Sequence, residues 1–181
     1  MKNYGKFTGP ETIRFERMLP GTVENIWAYL TEPEKRGQWL AKGEMELRLG
    51  GKLELIFRHE NLTPHDDPLP EKYSHIPEES TMEGRITQID PPHLLSYTWG
   101  EESGRDSEVT FKLSQQENGV LLTLTHRRLG RELEALKGIA AGWHTHLGIL
   151  EDKLSKRVPQ PFWEIHTRLE EKYEQLLTKK S

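Results

Sequence analysis

The chain has 181 residues, 34% of them hydrophobic and 30% charged, with five Trp and no Cys. That length fits one domain with a substantial core, and the lack of cysteine excludes disulfides, thiolate metal sites and a Cys nucleophile. The 25 Lys and Arg against 29 Asp and Glu leave a formal charge of -4, so no basic surplus exists for a nucleic-acid partner. No run of ~18 apolar residues suggests a membrane span, and the opening MKNYGKFTGPETIRFERM has no apolar signal core. A cytoplasmic protein is the expectation.

Residues 1–10 read as a lead-in. From Thr12 to Met18 the residues alternate, with Ile13 and Phe15 on one face and Arg14 and Glu16 on the other, the pattern of a half-buried strand. Leu19-Pro20-Gly21 breaks it. Thr22 is placed to cap a short helix, VENIWAYL, and Pro33 suits the first turn of a second one ending near Gly37. Trp39 and Leu40 follow as packing residues. Met45, Leu47 and Leu49 alternate with charged residues, and Leu53, Leu55 and Phe57 resume that alternation after Gly50-Gly51, so a hairpin is expected.

Residues 59–80, HENLTPHDDPLPEKYSHIPEES, lose all periodicity and hold four of the eleven prolines. A loop this long in a compact domain is often functional or mobile, and its expected place is one mouth of the sheet. Four further strands follow: MEGRITQI, LLSYTW, SEVTFKL and VLLTLTH. Asp90-Pro91-Pro92, GEESGRD and Gln116-Glu117-Asn118-Gly119 join them. With the preceding pair they predict a six-strand antiparallel meander with one apolar face.

Such a sheet needs a cover. The run Leu133 to Leu154 supplies it, because Leu136, Ala140, Trp143, Leu147, Leu150 and Leu154 fall on one stripe at ~100° per residue. Pro159 and Pro161 then stop the chain, and FWEIHTRLEEKYEQLL forms a last amphipathic helix through Phe162, Ile165, Leu169, Tyr173 and Leu176. The expected organisation is a lead-in over 1–10, one domain over 11–157 containing the loop 59–80, and a helical extension over 158–181.

The order of elements resembles the helix-grip, START-like (SRPBCC) folds, and the local residues resemble one family within them. Leu19-Pro20-Gly21, Ile26-Trp27, Glu32-Pro33, Trp39 and Gly50-Gly51 open the likeness. Glu83-Gly84-Arg85-Ile86, Ile89-Asp90-Pro91-Pro92, Leu94-Leu95 and Tyr97-Thr98-Trp99 continue it. So do Val109-Thr110-Phe111-Lys112-Leu113, Gly119, Leu122-Thr123-Leu124-Thr125-His126 and Gly142-Trp143. Together they are similar to the activator of heat-shock-protein-90 ATPase homologue family, over roughly residues 11–154. The loop 59–80 and the helix after Pro161 depart from the family pattern. The resemblance implies an α+β fold, with a curved antiparallel sheet wrapped around a long C-terminal helix and two short helices after the first strand. It also implies an internal hydrophobic cavity rather than a defined reaction.

A concave face built this way presents Phe15, Met45, Leu55, Phe57, Tyr97, Trp99, Val109, Phe111, Leu122, Leu124 and Trp143. By pattern alone such a face is more often a filled core than a pocket; the resemblance gives the cavity equal standing. The polar candidates are Tyr97, His126 at the end of the last strand's apolar face, and His146 on the margin of the helix stripe; either histidine, pointing into the pocket, could orient a ligand or move a proton. The plainer reading of each is a boundary histidine, half solvated or bonded to a backbone carbonyl. His144 and His146 diverge by ~200° on a helix and cannot share an ion. His59, His65, Asp66, Asp67 and His75 match no compact ligand spacing, so no metal and no cofactor is expected. Pairs such as Glu78-Glu79, Glu101-Glu102 and Arg127-Arg128 read as solvated surface.

Three functions are compatible with these residues. The first is binding of a small hydrophobic molecule, lipid-like or aromatic, through the eleven apolar residues above with His126 and His146. The second is an enzyme of cyclase or hydrolase type on the same scaffold; no G-x-S-x-G, P-loop or dinucleotide motif accompanies it. The third is a chaperone-cofactor or homodimer role, in which Phe162, Trp163, Ile165 and Leu169 of the last helix meet a partner.

Overall fold

The computed structural model describes residues 3–100 and 107–179. Its order is β1 (Lys6–Gly9), β2 (Thr12–Leu19), α1 (Val23–Thr31), α2 (Pro33–Arg36), β3 (Lys52–Phe57), β4 (Ser80–Asp90), β5 (Leu94–Trp99), β6 (Ser107–Gln116), β7 (Gly119–Arg127), α3 (Leu133–Leu154) and α4 (Phe162–Thr178). The seven strands form one antiparallel sheet ordered β1-β2-β7-β6-β5-β4-β3. The turn GEESGRD and the pair Glu101-Glu102 fall largely or wholly outside the described residues.

Register explains the single apolar face. Ile13, His126, Val109, Tyr97 and Ile86 are cross-strand partners in turn, so they form one row across five strands. Phe15, Leu124, Phe111 and Leu95 form the next row. Alternation puts every second side chain on the same side. All of these residues are at most 1% exposed.

Two expectations need correction here. The lead-in contains a strand: Phe7 pairs with Ile13, and the Gly5 N–H donates to the Tyr173 hydroxyl at 2.8 Å. Lys6 and Thr8 showed no apolar alternation, because an edge strand buries little. The hairpin before Gly50-Gly51 does not form a ladder. Only isolated bridges, Lys42 to Ile56 and Met45 to Leu53, join that segment to β3. Leu47 and Leu49 are 49% and 70% exposed, so their alternation has no core behind it. The meander therefore has five strands, β3 to β7, and β2 adds to it through β7.

The two short helices form as read. The Asn25 N–H donates to Thr22 Oγ1 at 3.2 Å, and Pro33 opens α2. Arg36 is wholly buried and, among the described residues, makes no salt bridge. Its guanidinium donates to the carbonyls of Thr31 (3.1 Å), Ala41 (3.1 Å) and Gly43. Those bonds compensate the cost of burying the charge and fix the turn that presents Trp39 and Leu40 to the interior.

Helix α3 spans the residues its stripe predicts and is buried on two sides. Leu136, Ala140, Trp143, Leu147 and Leu150 lie within the core; its other side is covered by α4. That second contact buries Lys137 and His144, which lie off the stripe. The apolar side of α4 faces inward as well. Phe162, Trp163, Leu169 and Tyr173 are at most 8% exposed, and Ile165 is half-buried. The surface assigned to a homodimer or chaperone contact is thus spent inside the chain, because α3 exposes a second face that α4 must cover.

The loop between β3 and β4 is anchored rather than free. It has two single helical turns, His59–Asn61 and Glu71–Tyr73. Asp67 accepts the Trp163 N–H at the start of α4, which satisfies a helix-end donor. Tyr73 stacks on Trp163, with centroids 5.1 Å apart, and Lys72 Nζ donates to Glu134 and Glu170, each at 3.1 Å. The loop therefore ties the N-terminal turns of α3 and α4 to the end of the sheet.

Candidate functional site

A cavity of about 430 Å³ lies between the N-terminal half of α3, the ends of β3 and β5, and the loop. Leu40, Trp143 and His146 form its buried floor, and the exposed residues His75 and Pro77 mark its rim. Phe57, Trp99, Ile76 and Ile139 complete an apolar wall. Among the described residues, no Asp, Glu, Lys or Arg lines it.

The helix side of the cavity exists because α3 has glycine where a side chain would fill it. Gly138 and Gly142, one turn apart, both line the cavity, and a Cβ built on either meets nothing within 4 Å. Interior helix glycine costs about 1 kcal/mol relative to alanine. Two of them on one face form a groove.

The structure brings together only part of the sequence-derived set. Phe57, Trp99, Trp143 and His146 line the cavity. Phe15, Leu55, Tyr97, Val109, Phe111, Leu122 and Leu124 do not; each is at most 1% exposed within packed core. Met45 is partly buried against that core. Ile26, Leu30, Trp39 and Leu40, from α1 and the turn after α2, are buried in the same core, and Trp39 meets Phe111 edge-on at 6.5 Å. Leu40, His59, His75, Ile76, Pro77, Ser80, Gly138, Ile139 and Gly142 also line the cavity, none of them among the ligand-binding residues expected from the sequence. The paired glycines were a legible signal, since glycine is disfavoured inside a helix. The loop residues gave none, having no periodicity.

The two candidate histidines differ. His126 is fully buried and saturated. Trp143 Nε1–H donates to its Nδ1 at 2.9 Å, so its Nε2 carries the proton and donates to Ser107 Oγ at 2.7 Å. Burial pushes its pKa down to about 3. His126 orients Trp143 and has no lone pair left for a ligand.

His146 is bonded on one side only. Its Nδ1–H donates to the Trp39 carbonyl at 2.7 Å. Its ring packs among Phe57, His59 and Phe162, with centroids 6.5, 5.7 and 5.1 Å away. Burial, then the neighbouring His59, lower its pKa to about 3. Among the described residues nothing hydrogen-bonds its Nε2, and that atom is not one of the sealed, unsatisfied ones. The ring that carries it lines the cavity.

His144 and His166 serve the α3–α4 contact. His144 Nδ1 is 2.8 Å from the Tyr173 hydroxyl, which also accepts the Gly5 N–H. His166 Nδ1 lies 3.3 Å from Glu170 Oε1, yet both atoms lack a well-aligned hydrogen bond. Burial first, with His59 and Lys72 adding to it, lowers the His166 pKa to about 4, so this contact is not an ion pair at neutral pH. Among the described residues, no three His, Asp or Glu are grouped to hold a metal ion, and no helix is long and apolar enough to cross a membrane.

Comparison with known proteins places this geometry. The chain is 38% identical to a protein of Bordetella parapertussis (gene BPP1335) solved by NMR, covering 96% of this chain and 90% of that one, with a TM-score of 0.79. CalU16 from Micromonospora echinospora, in its crystal structure, is 23% identical with a TM-score of 0.65, over 91% of this chain and 87% of that one. A conserved protein of unknown function from Enterococcus faecalis, EF2215, is 23% identical with a TM-score of 0.67, over 99% of this chain and 92% of that one. None of the curated proteins matches. The family described as Activator of Hsp90 ATPase homolog 1-like protein matches residues 20–155, three-quarters of the chain, and the helix-grip fold agrees with it: the chain belongs to that family.

Proposed function

We propose that the protein binds a small hydrophobic molecule in the cavity beside Gly138 and Gly142. The single observation behind this is a cavity of about 430 Å³ walled by aromatic and aliphatic side chains, with no Asp, Glu, Lys or Arg among its described lining residues. That volume lies in the range of small-molecule sites, which are mostly apolar with few polar groups. The glycine pair supports the reading, since a fold selected for stability alone would place side chains there.

Binding is favoured over catalysis by the same lining. Among the described residues His146 and His59 have no carboxylate or cation beside them in the cavity, their rings make no hydrogen bond to each other, and His126 is saturated elsewhere.

Titration with para-butylbenzene derivatives, followed by the fluorescence of Trp99 and Trp143, tests the proposal. The expected result is saturable quenching at one site per chain, with native mass spectrometry giving the same stoichiometry. No saturable change with any member of an apolar panel would overturn it.

A further inference from the structure

We propose that the cavity selects an uncharged, mostly apolar ligand bearing one hydrogen-bond donor, a hydroxyl or N–H, which binds to His146 Nε2. This rests on the binding reading above and narrows its ligand class.

The argument starts at Trp39. Its carbonyl lies 2.7 Å from His146 Nδ1, and a carbonyl only accepts, so the proton must sit on Nδ1. The other tautomer would set two lone pairs against each other at that distance. Trp39 cannot move to relieve it: it is wholly buried, and its own indole N–H donates to the Tyr29 carbonyl at 2.8 Å. The imidazole of His146 is therefore locked as an acceptor at Nε2.

The surroundings then decide what that acceptor takes. His146 is 6% exposed, and no described residue donates to its Nε2. His59 also lines the cavity, but its ring meets that of His146 tilted at 5.7 Å without a hydrogen bond. An apolar ligand that displaces water leaves the Nε2 lone pair buried and unsatisfied. A ligand with a donor replaces the lost bond. The loss is worth roughly ten- to a hundred-fold in affinity. A carboxylate ligand meets a lone pair and no cation, and an ammonium ligand meets no carboxylate, since the described lining residues carry no Asp, Glu, Lys or Arg. Both charged classes are selected against.

Three matched probes test this on the intact protein: para-butylphenol, its methyl ether para-butylanisole, and para-butylbenzoate. They share one apolar body and differ in the donor and the charge. The expected order has the phenol binding roughly ten- to a hundred-fold tighter than the ether, with the benzoate weakest. In His146→Leu the phenol's advantage should shrink to within about three-fold while the ether binds as well or better. Equal affinity of phenol and ether for the natural protein, or tighter binding of the benzoate, overturns the inference while leaving the hydrophobic site standing. Failure of all three to bind removes the binding reading itself. Should His146→Leu fail to fold, the comparison of ligands on the natural protein still decides.

Discussion

Replacing Gly142 with leucine should make the protein more stable and less able to bind. Gly142 lies inside α3 on the cavity wall, and a Cβ there meets nothing within 4 Å. The exchange removes an interior helix glycine, a gain of about 0.8 kcal/mol. The new side chain enters an apolar space at a half-buried position. Taking half of the value for full burial adds about 1 kcal/mol. The sum, about 2 kcal/mol, corresponds to a rise in Tm of about 4–8 °C for a chain of this size. The same leucine occupies ligand volume, so the affinity for para-butylphenol should fall at least about ten-fold, or 1.4 kcal/mol. Gly148→Ala is the control. It lies on the same helix outside the cavity, its Cβ is also unobstructed, and it should add about 1 kcal/mol without touching affinity. Differential scanning calorimetry and fluorescence titration read the two quantities separately. A fall in Tm for Gly142→Leu would mean the space is not there. A rise in Tm with unchanged affinity would place the probe elsewhere. Either result refutes the reasoning.

Two further predictions concern stability. His126, His144, His146 and His166 are held neutral, with pKa values lowered mainly by burial to about 3, 4, 3 and 4 from 6.5. The unfolded chain takes up these protons from about pH 6.5 downward and the folded chain does not, so stability is intact above pH 6.5 and falls as pH drops towards 4. Four protons at ~1.4 kcal/mol per pH unit set a steepest slope of about 5 kcal/mol per unit. Chemical denaturation at pH 7, 6 and 5 should show a steep loss; a flat profile would mean that these rings titrate freely in the fold. Tyr173→Phe removes the hydroxyl shared by Gly5 N–H and His144, groups that tie the N-terminus to α3 and α4. It should cost about 1–3 kcal/mol in urea unfolding, and no loss would show that water replaces the hydroxyl.

Local periodicity determined most of the fold, because each element's buried face is written in its own residues. The alternation of Ile13 and Phe15, of Val109, Phe111 and Leu113, and of Leu122, Leu124 and His126 defined strands whose rows align across the sheet. The recurrence of Leu136, Ala140, Trp143, Leu147 and Leu150 defined α3 to the residue. The same logic failed at Met45, Leu47 and Leu49, where alternation occurs without a partner strand to complete the pairing.

Tertiary structure alone decided the site. Whether a concave apolar face is filled depends on what else enters it, and Trp39 and Leu40 enter from a segment about a hundred residues before α3. The tautomer of His146 depends on the Trp39 carbonyl, a backbone atom that no side-chain pattern encodes. The saturation of His126 needs Trp143 and Ser107 from two other elements. Burial faces follow from spacing along the chain; a cavity is what remains unfilled after every element has packed, and only the assembled chain defines that remainder.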